Sequence, residues 1–177
     1  MKKMLTGLMA AVAVAGMGVC AAEAPAKDAV KTEAAAKEEA KAVWLNNYSE
    51  AVKQAKESGK PILVDFTGSD WCGWCIKLDK EVFSKPAFAE YAAAHLILLK
   101  VDFPQKTVLP KEVAEQNDIM AKAYDVEGFP TIVLIKADGE ELARTGYQAG
   151  GAEKYVKHLE KLLKKAEKEA AKPAAKK

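Results

Sequence analysis

Histidine is scarce in this sequence, with His95 and His158 the only two among 177 residues, and cysteine is limited to Cys20, Cys72 and Cys75. A structural zinc site needs about four Cys or His ligands at regular spacing. Cys72 and Cys75 supply half of one, neither histidine sits at a matching interval, and no metal or cofactor is expected. Neither sign of charge dominates: 27 Lys and Arg stand against 25 Asp and Glu, and Lys2 and Lys3 at the start carry the excess. A chain so balanced lacks the basic surface with which nucleic-acid binders displace counterions, so nucleic acid is excluded as a partner. No dimerisation segment is visible, which favours a monomer. Apolar residues, by contrast, make up 50% of the chain, enough for a folded core.

The long uncharged apolar run, Met4–Val19, follows Lys2 and Lys3 and leads to the compact residues Val19-Cys20-Ala21. That order reads as a secretory signal over residues 1–21, cleaved after Ala21. Cleavage after Ala24 also satisfies the small-x-small rule but leaves Pro25 immediately after the cut. A retained anchor fits less well, because the run to Ala22 is barely long enough to span a bilayer and is rich in Ala and Gly. Lipidation of Cys20 is opposed by Val19, where lipoprotein signals carry Gly, Ala or Ser. The expectation is export, to a periplasm, in preference to a membrane-tethered or lipidated form. With Cys20 removed, two thiols remain, three positions apart. Disulfides persist in an oxidising compartment, yet a staple closing so short a loop gains little. The pair points to redox chemistry.

Residues 22–42 are mostly Ala, Lys and Glu, with Val30 the only sizeable apolar side chain, and residues 164–177 have the same character around Pro173. Both are expected to be solvated, flexible segments with no face to bury, flanking a domain over residues 43–163. Within it, Ser49–Ser58 predicts a helix capped by Ser49 and ended by Gly59, with Ala51, Val52 and Ala55 inward. Pro61–Phe66 and Leu96–Asp102 are nearly continuous apolar runs of strand length, as in strands buried on both faces. A loop over Thr67–Trp71 leads to a segment from Cys72 to about Ser84 with Ile76, Leu78 and Val82 at positions compatible with a helix, and Pro86 opens a short helical stretch toward Ala94. Glu112–Tyr124 reads as helix, with Met120 and Tyr124 on its packing face. Thr131–Ile135 and Leu142–Tyr147 form a hairpin about Ala137-Asp138-Gly139, and Gly150 and Gly151 open a long amphipathic helix. His95 starts a strand, Gly128 serves a turn, and Asp70 is a solvated loop charge. This order implies an α/β fold with a mixed sheet covered by helices on both faces.

The chemistry centres on Cys72-Gly73-Trp74-Cys75. Cys72 stands where a helix begins, and free backbone N–H groups at that end stabilise a thiolate, the attacking species in disulfide exchange. Cys75, three residues on, shares the helical face and can reach back to resolve a mixed disulfide. Trp71 and Trp74 flank the thiols, either as an apolar platform for extended substrates or, for Trp71, as packing against the loop.

Val64-Asp65-Phe66, then Trp71–Cys75, then Gly128-Phe129-Pro130-Thr131 ahead of a hairpin together resemble the thioredoxin superfamily over Trp44–Leu163. The resemblance implies a thioredoxin fold and a thiol–disulfide oxidoreductase with Cys72 and Cys75 as its redox pair. It implies Asp65 as the buried acid that helps deprotonate the resolving cysteine, a cis Pro130 against the thiols, and a Phe129 backbone that pairs with extended substrate. Two features depart from the pattern. Thr67–Trp71 makes the loop one residue longer than in thioredoxins, which could displace Asp65 from Cys75. Gly73-Trp74 replaces the Gly-Pro of thioredoxin and the Gly-His of protein disulfide isomerase. Without an imidazolium there, the centre is expected to be less oxidising than the strongest oxidants, within a family range of about −270 to −120 mV, and to act as reductase or isomerase. The implied partners are exported cysteine-containing proteins and a protein that recycles the redox centre. Two other readings are a non-catalytic thioredoxin-like binding module with a fixed Cys72–Cys75 disulfide, and a dedicated partner in a membrane electron relay.

Overall fold

The computed structural model describes residues 41–171. The expected signal segment, nearly all of the tether after it and the last six residues of the expected tail lie outside the described residues. The elements run α1 (Tyr48–Ser58), β1 (Ile62–Thr67), α2 (Gly73–Leu78), a π-helical turn (Asp79–Phe83), α3 (Pro86–His95), β2 (Ile97–Asp102), α4 (Lys111–Ala123), β3 (Thr131–Ile135), β4 (Glu141–Thr145) and α5 (Gly151–Ala170). The four strands form one mixed sheet in the order β2-β1-β3-β4. β1 pairs in parallel with β2 and antiparallel with β3, and β3 pairs antiparallel with β4. Leu45 adds an isolated parallel bridge to Leu99 on the outer edge of β2.

All six residues of β1 are buried, as its unbroken apolar run requires of a strand covered on both faces. Side chains alternate across a strand. Ile62, Val64 and Phe66 therefore join Leu99, Val101, Val133 and Ile135 in a core closed by Ala51 and Ala55 of α1 and Met120 of α4. Leu63 faces the other way, into a core with Leu98, Ile132 and Leu134, closed by Leu78, Val82, Phe83, Phe88, Tyr155 and Leu159. Asp65 is two residues beyond Leu63 and shares its face. Trp44 seals that core from the edge, its ring 5.0 Å from Phe83 and 6.4 Å from Phe88.

Several expectations are corrected. The cap of α1 is Asn47, not Ser49: Asn47 is extended (φ −116, ψ 119) and its Oδ1 accepts the Glu50 N–H at 2.9 Å. Gly59 does end the helix, in the left-handed region at φ 70, which only glycine enters at little cost. Ile76, one of the apolar residues of α2, is 46% exposed. Cys75, Leu78 and Val82, three and four positions apart, form the buried stripe, and Ile76, about 100° round the helix from Cys75, falls outside it. His95 ends α3 instead of starting a strand, its ring 4.8 Å from Tyr91. α5 continues to Ala170 with Ala166 buried, well past Lys164, where a flexible tail was expected. β4 ends at Thr145, which frees Tyr147 to turn toward the end of α2.

Replacing Asn47 by Ala should lower stability by about 1 kcal/mol in urea unfolding, while Ser49→Ala should stay within about 0.5 kcal/mol of the parent. Equal losses for both would contradict the cap assignment.

Candidate active site

The two cysteines of the motif lie where β1 gives way to α2. Cys72 is the N-cap of α2, in extended conformation, with its own N–H donated to the Gly68 carbonyl at 2.9 Å. Cys75 is buried in the first turn, and its N–H donates to Cys72 Sγ at 3.2 Å. The pair is joined as a disulfide with a Cα–Cα separation of 5.2 Å. A sulfur at this position receives the hydrogen bond that a Ser or Asp cap would accept, the arrangement that favours a charged sulfur once the disulfide opens.

Asp65 lies on the face of β1 that α2 covers, opposite Lys100 of β2 in the strand register. It is 4% exposed, and among the described residues its Oδ1 has no hydrogen-bond partner. Burial pushes its pKa from 3.8 up to about 7; Lys100 pulls against this, and Asp79 and Asp102 add to it. The longer loop has not brought the carboxyl out to solvent.

The Phe129–Pro130 bond is cis, as the resemblance implied. Thr131 Oγ1 donates to the Gly128 carbonyl at 2.7 Å, which closes the turn before β3. Gly146, just after β4, comes so close to this turn that a Cβ there would lie 3.1 Å from the Pro130 carbonyl. The Phe129 ring is met edge-on by Trp71 at 5.9 Å and stacks on Phe103 at 5.2 Å. Trp71 is 41% exposed, and its indole N–H donates to the Phe103 carbonyl at 2.7 Å. It thus packs against the loop and stays partly exposed next to Cys72 in the chain. The indole rides over Gly68, where a Cβ would fall 2.5 Å from Trp71, so no side chain fits.

Trp74 is the most exposed aromatic at the site, at 58%. Its ring lies 5.3 Å from Tyr147, and the Lys77 ammonium sits 5.1 Å from both rings. The Tyr147 hydroxyl donates to Glu81 Oε2 at 2.6 Å, which draws its pKa above the usual tyrosine value.

These features can be set beside known proteins. The thioredoxin-like domain family matches residues 48–163. The chain belongs to that family. The disulfide bond reductase DsbH of Chlamydia pneumoniae is 42% identical over 118 residues, covering 67% of this chain and 71% of that protein. The thioredoxin-related protein DsbJ of Chlamydia pneumoniae is 30% identical over 104 residues; this chain spans only 30% of its length. A solved structure of a DsbH oxidoreductase superposes with a TM-score of 0.68 at 42% identity, covering 71% of this chain and 86% of that one. The protein is a thioredoxin-family thiol–disulfide oxidoreductase.

Of the seven residues singled out from the sequence, Cys72 and Cys75 are bonded to each other, Trp71 meets Phe129 ahead of the cis Pro130, Trp74 packs on Tyr147, and Asp65 is buried on β1. Asp70, expected as a solvated loop charge, is instead tied to backbone N–H groups. Its carboxylate accepts the backbone N–H groups of Gln105 (2.9 Å) and Lys106 (2.7 Å), chiefly the former holding its pKa below the ordinary value. Phe103, Tyr147 and Glu81 were not anticipated either. Phe103 takes part through its backbone carbonyl and a ring contact with Phe129, and Tyr147 meets Glu81 from 66 positions away.

Asp65 makes stability fall with pH. Between 3.8 and about 7 the native state keeps a proton that the unfolded chain has lost, so stability declines as pH rises through that window and levels off above it. Asp65→Asn removes the penalty. The variant should exceed wild type by a few kcal/mol (on the order of 4 at most) above neutrality. The gain should vanish as pH falls toward 3.8 in a series of urea titrations, and a pH-independent difference would refute the burial argument.

Proposed function

We propose that this oxidoreductase reduces or isomerises disulfides in exported proteins, with Cys72 as attacker and Cys75 as resolver. The observation that carries the reading is the placement of Cys72 Sγ as the cap of α2, accepting the Cys75 N–H at 3.2 Å. In the reduced enzyme the Cys72 thiolate attacks one sulfur of a substrate disulfide and expels the other as a thiolate, leaving a mixed disulfide. Cys75, its proton taken by Asp65, then attacks Cys72 Sγ. This releases the second substrate sulfur and closes the Cys72–Cys75 bond, so two electrons pass from the enzyme to the substrate. Asp65 suits this transfer because a carboxyl titrating at about 7 can accept and return a proton near neutrality.

The substrate lies extended against the Phe129 backbone and Pro130, with Trp71 and Trp74 offering apolar faces on either side of the thiols. Reduction is favoured as the direction by the 42% identity to a protein named as a disulfide bond reductase and by the absence of an imidazolium between the cysteines. Export, to a periplasm, rests on the composition of residues 1–21. The enzyme acts as a monomer and is returned to the dithiol by a separate redox partner.

Cys72→Ser should abolish reduction of insulin disulfides, and Cys75→Ala should accumulate mixed disulfides that gels resolve without reductant. The second reading, a binding module with a fixed disulfide, requires that wild type reduce nothing and that substrate binding survive loss of either thiol.

A further inference from the structure

The loop that carries Cys72 is fastened to the end of β2 and the segment after it by hydrogen bonds at Thr67, Ser69, Asp70 and Trp71. Ser69 donates its N–H and hydroxyl to the two carboxylate oxygens of Asp102, at 2.9 and 2.5 Å. Asp70 accepts from Gln105 N–H at 2.9 Å and from Lys106 N–H at 2.7 Å, one on each oxygen. Trp71 donates its indole N–H to Phe103 O at 2.7 Å, and Phe103 N–H returns to Thr67 O at 2.8 Å. The Phe103 ring then stacks on Phe129, the residue before the cis proline. A continuous path therefore joins the thiol-bearing turn to Phe129, and Asp70 is its polar clamp.

We propose that Asp70 is a positioning residue for disulfide exchange, holding the Cys72 turn and the Phe129–Pro130 turn at the separation that an extended substrate needs. The proposal rests on the reading of Cys72 as attacker and of the Phe129 backbone as the substrate-pairing strand. The residue that lengthens this loop relative to thioredoxins is thereby accommodated. The added chain is tied down by two backbone donors, a geometry a carboxylate matches with both oxygens. An extended peptide must engage both turns at once, whereas a small disulfide needs only the Cys72 sulfur. Loss of the clamp therefore discriminates between substrates, which a loss of stability alone does not.

The test compares reduction of a disulfide-bonded peptide with reduction of hydroxyethyl disulfide by the reduced, full-length protein. Asp70→Ala should lower kcat/KM for the peptide roughly tenfold. The rate with hydroxyethyl disulfide should stay within about twofold, because it depends on thiolate availability and access. Phe103→Leu keeps apolar bulk but removes the stacked ring, and should show the same selective loss with little change in Tm. The pH profile of Cys72 alkylation reports any effect of the lost charge separately. Parallel losses with both substrates, or an unaltered peptide rate in either variant, would overturn the assignment of Asp70. Exchange that survives in Cys72→Ser would instead sink the reading of the site, and this inference with it.

Discussion

Burial of β1 on both faces is the constraint on which everything else depends. Six consecutive residues, Ile62–Thr67, are buried and pair with β2, the first five pair with β3 as well, and their alternation decides which side chains reach which face. Ile62, Val64 and Phe66 point toward α1 and α4, so Leu63 and Asp65 must point toward α2 and α5. A carboxyl fixed there loses its water and keeps its proton to about pH 7. The same strand, ending at Thr67, launches the turn that delivers Cys72 to the start of α2. Acid and thiol thus come from one short piece of chain whose position the core dictates.

Three further segments converge on that turn, and each is held by a different force. Phe103–Lys106 is tied to it by hydrogen bonds to Asp70 and from Trp71. The Phe129–Pro130 turn is held by aromatic contacts with Trp71 and Phe103. Tyr147 reaches the motif with its ring tilted against Trp74 while its hydroxyl is anchored on Glu81. Trp74, where thioredoxin has proline, is therefore propped from β4's end and flanked by the Lys77 ammonium. The site shares its fold and exchange chemistry with DsbH, at 42% identity, while the walls around its thiols are built from contacts on distinct segments.

Much of this was legible in the sequence because the signals are local and strong. β1 and β2 declare themselves as apolar runs, and the cysteine spacing with the Phe-Pro-Thr segment marks the two turns of the site. What was missed shares a physical cause. Asn47 and Ser49 are both good caps two positions apart, and only the backbone angles choose between them. Asp70 looked solvated because its partners are backbone N–H groups thirty-five and thirty-six residues away, which leave no mark in side-chain pattern. α5 runs past Lys164 because Ala166 finds a buried place that composition alone does not reveal.

The central claim is that Cys72 and Cys75 cycle between dithiol and disulfide. Equilibrating the protein in glutathione and dithiothreitol buffers of graded potential, then counting free thiols by alkylation, tests it most directly. The account predicts a reversible two-electron titration with a midpoint between about −270 and −120 mV. A pair that stays oxidised until potentials below about −300 mV would behave as a structural disulfide and contradict it.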